Sequence, residues 1–99
     1  MAAGDVVSAL SSVDAGNYFD IQPSAGVEIV IHNITHQGAD AELYFYDGSN
    51  LILIDIHASG NVGAWWPNLH LHSNNTRYYR VKNISGSARL FGYDGVQTK

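Results

Sequence analysis

Apolar and polar residues alternate with a period of two along most of the chain, and turn-forming residues interrupt them at short intervals. Tyr18 to Gln22 is a short alternating run that Pro23 ends. Val27 to Thr35 (VEIVIHNIT) is β-branched or apolar at nearly every position, which predicts a strand with both faces buried. Ala41 to Tyr46 (AELYFY) leads into Asp47-Gly48-Ser49-Asn50, and Asp-Gly after an aromatic strand predicts a hairpin. Leu51 to His57 (LILIDIH) is then the returning strand, closed by a turn at Ala58 to Asn61. Val62 to Trp66 predicts another strand, cut by Pro67, which cannot donate to a central ladder. Leu69 to His72 and Arg77 to Asn83 flank a loop, Ser73 to Thr76. Ser87 to Tyr93 is the last predicted strand, followed by a second Asp-Gly turn at Asp94-Gly95.

Residues 5 to 13 (DVVSALSSV) carry Val6, Leu10 and Val13 at helical spacing, but the run is short and rich in Ser and Val. It reads as a strand or an extended arm. The expected organisation is residues 1–13 as an N-terminal arm or first strand and residues 14–99 as one β-sandwich domain. The expected fold is all-β: a single antiparallel β-sandwich, jelly-roll-like, of about eight short strands. A partial repeat, N-I-[ST], a loop, then A-x-L-[YF]-x-Y-D-G, runs from Asn33 to Gly48 and again from Asn83 to Gly95. It would place two similar hairpins across one core.

Composition narrows the function. The chain has 99 residues and no cysteine, which excludes disulfides, zinc ribbons and thiol chemistry. Charged residues are 14% of the chain, against about a quarter in ordinary soluble domains. The net charge of −4 argues against nucleic-acid and anionic-membrane partners. All five basic residues lie from Arg77 onward, so two copies could meet head to tail with opposite charge. The start has no basic region and no apolar run of signal-peptide length, so a soluble protein made in a cytoplasm is expected. Asn33, Asn74 and Asn83 each begin an Asn-x-Ser/Thr triplet, read as accidents of an Asn- and Ser-rich composition.

Candidate chemistry is thin. His70 and His72 are two apart and share a strand face, as ligand pairs do, and His32, His36 and His57 add three more imidazoles. No carboxylate follows His72 until Asp94, so the histidines are assigned to sheet hydrogen bonds or an interface, with no metal and no cofactor. Asp47 and Asp94 belong to predicted turns, and Glu28, Glu42 and Asp55 lack an acid or base partner. No catalytic residue is assigned and the expectation is a non-enzyme. Aromatics offer more. Trp65-Trp66-Pro67, Tyr78-Tyr79 and Tyr44-Phe45-Tyr46 suit either a sugar-stacking platform or a protein interface. Adjacent Trp residues on a strand face opposite sides, so one is core and the other rim.

The segment Ile21 to Ile34 (IQPSAGVEIVIHNI), with Arg80 to Gly86 (RVKNISG) and Gly92 to Gln97 (GYDGVQ), resembles small all-β virion proteins of tailed bacteriophages, of the head-decoration or cement kind. The likeness spans about Val13 to Lys99. It implies a structural role: stabilising the head by bridging subunits of the major capsid protein, as a homo-oligomer, usually a trimer. The location it implies is the capsid surface, after synthesis in the host cytoplasm. Such proteins often dock through an N-terminal arm, which maps here onto Ala2 to Val13. The interface residues expected on this basis are Val6, Val7, Leu10, Trp65, Trp66 and Tyr78. A carbohydrate-binding β-sandwich using Trp65 or Trp66 is the alternative, and a tail- or fibre-associated virion protein would have a similar sequence.

Overall fold

The computed structural model describes residues 3–37, 40–57 and 64–99. Nine strands run through them: β1 (Val6–Val13), β2 (Tyr18–Ile21), β3 (Ile29–His36), β4 (Ala41–Tyr46), β5 (Leu51–His57), β6 (Ala64–Trp66), β7 (Leu71–Ser73), β8 (Tyr78–Asn83) and β9 (Arg89–Gln97). There is no helix among the described residues. One antiparallel sheet has the order β1-β9-β3-β6, with β7 also on β3, and the other has the order β2-β8-β4-β5.

β6 and β7 share one edge of β3. The first pairs with Ile34 to His36 and the second with Ile29 to Ile31. Pro67 has no N–H to offer and Asn68 takes a positive φ of 58°, so together they break what is in effect one strand. Counted that way there are eight strands, and the pairs β1/β9, β2/β8, β3/β6-β7 and β4/β5 nest inside one another. The chain changes sheet at every connection except the β4–β5 hairpin. That is jelly-roll wiring, and it agrees with the expected sandwich.

Between the sheets lies a core built by alternation. Ile21, Ile31, Ile34, Leu43, Val81 and Phe91 are almost fully buried there, joined by Val7, Val13 and Trp66. β3 is the central strand whose both faces were expected to be buried, and Val30 on its other face is buried as well. At the hairpin, Asp47 Oδ1 accepts hydrogen bonds from Ser49 N (2.9 Å) and Asn50 N (2.7 Å), while Gly48 takes a φ of 100°. The predicted turn at Ala58 to Asn61, and Val62 and Gly63 of the next predicted strand, lie outside the described residues.

The second Asp-Gly is not a turn. β9 runs through it to Gln97, with Gly95 opposite Val7 on one side and Ile31 on the other. A Cβ at Gly95 would collide with the Val30 carbonyl oxygen, so glycine is required here by close approach of β3, which bulges between Ile31 and Asn33. Asp94 uses its carboxylate sideways, accepting from Asn33 Nδ2 at 2.8 Å. The two halves of the apparent repeat therefore have different structures. Asn33 lies inside β3 whereas Asn83 ends β8, and only the first Asp-Gly closes a hairpin.

Candidate functional site

β5 is the outermost strand of its sheet, hydrogen-bonded to β4 alone among the described residues. Its sequence, LILIDIH, has the continuous apolar pattern of a buried strand, yet every described aliphatic on it is exposed. Leu51, Ile52, Leu53, Ile54 and Ile56 are between 41% and 61% accessible. Edge strands in soluble proteins normally carry Lys, Pro or inward charges that deter pairing. Here a bulge and the inward-turned Asp55 interrupt the edge: Leu43 pairs with Asp55 and Tyr44 with Leu53, leaving Ile54 as the extra residue.

What holds β5 in place is its polar end. Asp55 Oδ2 accepts a hydrogen bond from Trp66 Nε1 at 2.7 Å, and the His57 ring stacks on Trp66 with centroids 3.9 Å apart. A 2.9 Å hydrogen bond joins His57 Nδ1 to His36 Nε2 on β3. The Trp66 indole N–H and the Ile56 amide hold the Asp55 carboxyl below its usual range. These contacts tie β5 to the opposite sheet. The aliphatics are thereby presented on a fixed strand.

The outer face of the β2-β8-β4-β5 sheet continues this surface. Register places Leu51 beside Tyr46 and Leu53 beside Tyr44, and Tyr78 beside Tyr46 on the far side. Tyr18 and Tyr44 meet edge to face at 5.8 Å, as do Tyr46 and Tyr78 at 5.3 Å. Arg80 lies 4.0 Å above the Tyr18 ring and pairs with Asp20 at 2.7 Å. Tyr44 donates its hydroxyl to Glu42 at 2.6 Å, and that bond, helped by burial, pushes its pKa up to about 12.

A second apolar zone lies on the outer face of the other sheet. Leu10, Gly92, Thr35 and Trp65 form one cross-strand row, with Leu90 on β9 and Val6 further along β1. Val6 (77%), Leu10 (68%) and Trp65 (55%) are the most exposed of these. The six residues expected at an interface thus divide. Val6, Leu10 and Trp65 are on this surface. Val7 and Trp66 point the other way into the core, and Tyr78 is buried within the tyrosine layer on the outer face of the opposite sheet. Val6 to Val13 forms a strand paired with β9 over its whole length.

The histidines fall into two groups. His36 and His57 make the bond just described, while His32, His70 and His72 sit near one another, with ring centroids 6.3 and 5.1 Å apart along the series. Among the described residues no group of three or more His, Cys, Asp or Glu side chains is arranged to hold a metal ion. Two of the five late-lying basic residues lie against acids from earlier in the same chain. Arg80 pairs with Asp20, Lys99 Nζ is 3.9 Å from Glu28, and Arg77 adds to the downward pull on the Asp47 carboxyl that the Ser49 and Asn50 amides dominate.

A cleft of about 330 Å³ opens between the sheets beside β7. Phe45 and Tyr79, neighbours on β4 and β8 with ring centroids 5.0 Å apart, line it together with Ile29. Glu28, His70, His72, Asn74 and Arg77 surround them. No protein-family model matches the chain, and no curated protein matches its sequence.

Leu51 to His57 was expected as the second arm of a hairpin, and it is; its exposure was not foreseen. The available signal was a run apolar on both faces directly after a tight turn. Such a strand has its turn partner on one side and needs something else on the other.

Proposed function

We propose that this protein is a non-catalytic assembly subunit of a tailed-phage virion, a decoration protein that holds neighbouring major capsid protein subunits together. The observation that carries the reading is β5: five aliphatic side chains, each about half exposed, held on a fixed edge strand. Monomeric soluble proteins rarely leave contiguous apolar surface of this kind uncovered. Two separate apolar zones, one on each sheet, suit two kinds of neighbour. In this reading a second copy of the chain, in a homo-oligomer such as a trimer, covers β5 and its tyrosine border. The capsid lattice covers Val6, Leu10, Trp65 and Leu90. Adhesion comes from buried area, with Trp and Tyr as anchors.

The test is co-sedimentation of the purified protein with shells of the major capsid protein. Deleting Ala2 to Val13 is a poor probe, because Val7 and Val13 belong to the core. Val6→Ser with Leu10→Ser changes only exposed side chains, and should abolish pelleting while leaving the melting temperature nearly unchanged. Pelleting unaffected by that pair, or no pelleting of the wild type, contradicts the capsid role. Trp65, exposed on the same face, supports the alternative of carbohydrate binding. That reading requires glycans to quench Trp fluorescence and the quenching to vanish in Trp65→Ala.

A further inference from the structure

The cleft beside β7 shares no residue with β5 or with the Val6, Leu10 and Trp65 surface, so what it binds is independent of the assembly reading. We propose that it is a binding site for an acidic monosaccharide unit, a sugar ring bearing a carboxylate. Three features of the cleft lead there.

Size comes first. At about 330 Å³ the cleft lies at the lower end of the range for small-molecule sites and suits one sugar ring. The wall is the second feature. Phe45 and Tyr79 come from adjacent strands in register, their rings 5.0 Å apart and tilted by 44°. Both residues point inward and, with Ile29 of the opposite sheet, line the cleft. The C–H face of a sugar packs on such rings while its hydroxyls point away.

The third feature is the polar part of the lining. Glu28, Asn74, His70, His72 and Arg77 complete the lining, and Arg77 brings the guanidinium. Asn74 is held by its own turn: its Oδ1 accepts from Thr76 N at 3.0 Å and Arg77 N at 2.8 Å. The same turn fixes the backbone from which Arg77 projects. A flat aromatic acid would satisfy Phe45, Tyr79 and Arg77 but offer no hydroxyls to Glu28, Asn74 and the histidines. Ring hydroxyls pair with all of them. Arg77 then takes the carboxylate, because a guanidinium matches that group with two parallel hydrogen bonds.

The experiment is an NMR titration of the full chain with methyl glucuronide, and with methyl glucoside as the neutral analogue of the same shape. Glucuronide should shift the amides of Phe45, His72, Asn74, Arg77 and Tyr79 with a dissociation constant of roughly millimolar order. Glucoside should bind about tenfold more weakly or worse, through loss of the charged hydrogen bond. Arg77→Gln should weaken glucuronide by a similar factor and bring the two sugars level, with the melting temperature unchanged because Arg77 is exposed. Equal binding of both sugars by the wild type overturns the proposal. So do shifts that map outside the cleft, glucuronide binding indifferent to Arg77→Gln, tighter binding of benzoate, and the absence of any shift.

Discussion

Replacing Asn83 by alanine removes a side chain that joins three parts of the chain. Asn83 is fully buried. Its Nδ2 donates to Val13 O at the end of β1 (2.9 Å) and to Ser87 O before β9 (2.9 Å). Its Oδ1 accepts from Ser85 N (2.9 Å) and Ser85 Oγ (2.6 Å). Each such bond contributes about 1 kcal/mol net, and a buried partner left unsatisfied costs more. Ser85 Oγ keeps a second acceptor in Ser87 O at 3.0 Å, and the turn residues Gly86 and Ser87 are exposed enough to be hydrated. Those outlets leave the loss near 3 kcal/mol, set mainly by the Val13 carbonyl and the Ser85 amide. For a domain of this size that is a fall of roughly 12–24 °C in melting temperature, a large part of a typical stability of about 5–15 kcal/mol. Urea unfolding followed by tryptophan fluorescence reads it directly. Ser85→Ala, which removes one hydroxyl from the same cluster, should cost about 1 kcal/mol. If Asn83→Ala costs no more than Ser85→Ala, Asn83 does not organise the β1, β8 and β9 ends and the reasoning fails.

Gly95→Ala should prevent folding or destabilise by about 3 kcal/mol or more, because both Val30 O and the Ile31 Cα that the new Cβ meets are backbone atoms. Gly86→Ala, with nothing within 4 Å, should be neutral, and comparing the two melts checks it. In an alkaline titration of tyrosinate absorbance, Tyr44 should ionise at about 12, and Glu42→Gln should bring it down toward the ordinary value of 10.0. Since folding raises that pKa, the contribution is complete below pH 10 and disappears as pH rises through 12. Asp55 has the opposite sign: its lowered pKa adds stability above the usual value of 3.8, which is lost as pH falls through the folded value. An acid titration of Trp66 emission should show that transition in the wild type, and Asp55→Asn should remove it.

Much of the sandwich was legible because its strands obey local rules. Val27 to Thr35 looked buried on both faces and is the central strand. Asp47-Gly48 looked like a hairpin and is one. Trp65 and Trp66 had to face opposite ways, and they do. Asp94-Gly95 misled because the same dipeptide serves a different need: a turn at 47–48 requires positive φ, whereas Gly95 is demanded by a carbonyl on β3 that is 65 residues away in sequence. Nothing near Gly95 in the chain reveals that neighbour. The surfaces were less legible for the same reason. Period-two alternation says that Val6 and Val7 point apart, but not which of them meets the second sheet. For Tyr78 the outer face is correct by parity, and burial comes from Tyr46 and the β8 surroundings, which only the fold assembles. β5 is the reverse case: its pattern says buried, and its position at the end of the sheet leaves it open.

That open strand decides the assembly reading, and its most direct test is the mass of the purified protein by sedimentation over a range of concentrations, alongside Leu53→Thr with Ile56→Thr. Threonine keeps the β-strand preference. Burying the exposed half of each aliphatic is worth about 1 kcal/mol, so the pair should weaken each β5 contact roughly thirtyfold. The wild type should sediment as a multiple of the 10.8 kDa chain and the variant as single chains with an unchanged melt. A wild type that stays at 10.8 kDa at every concentration, and that binds no capsid shell, contradicts it.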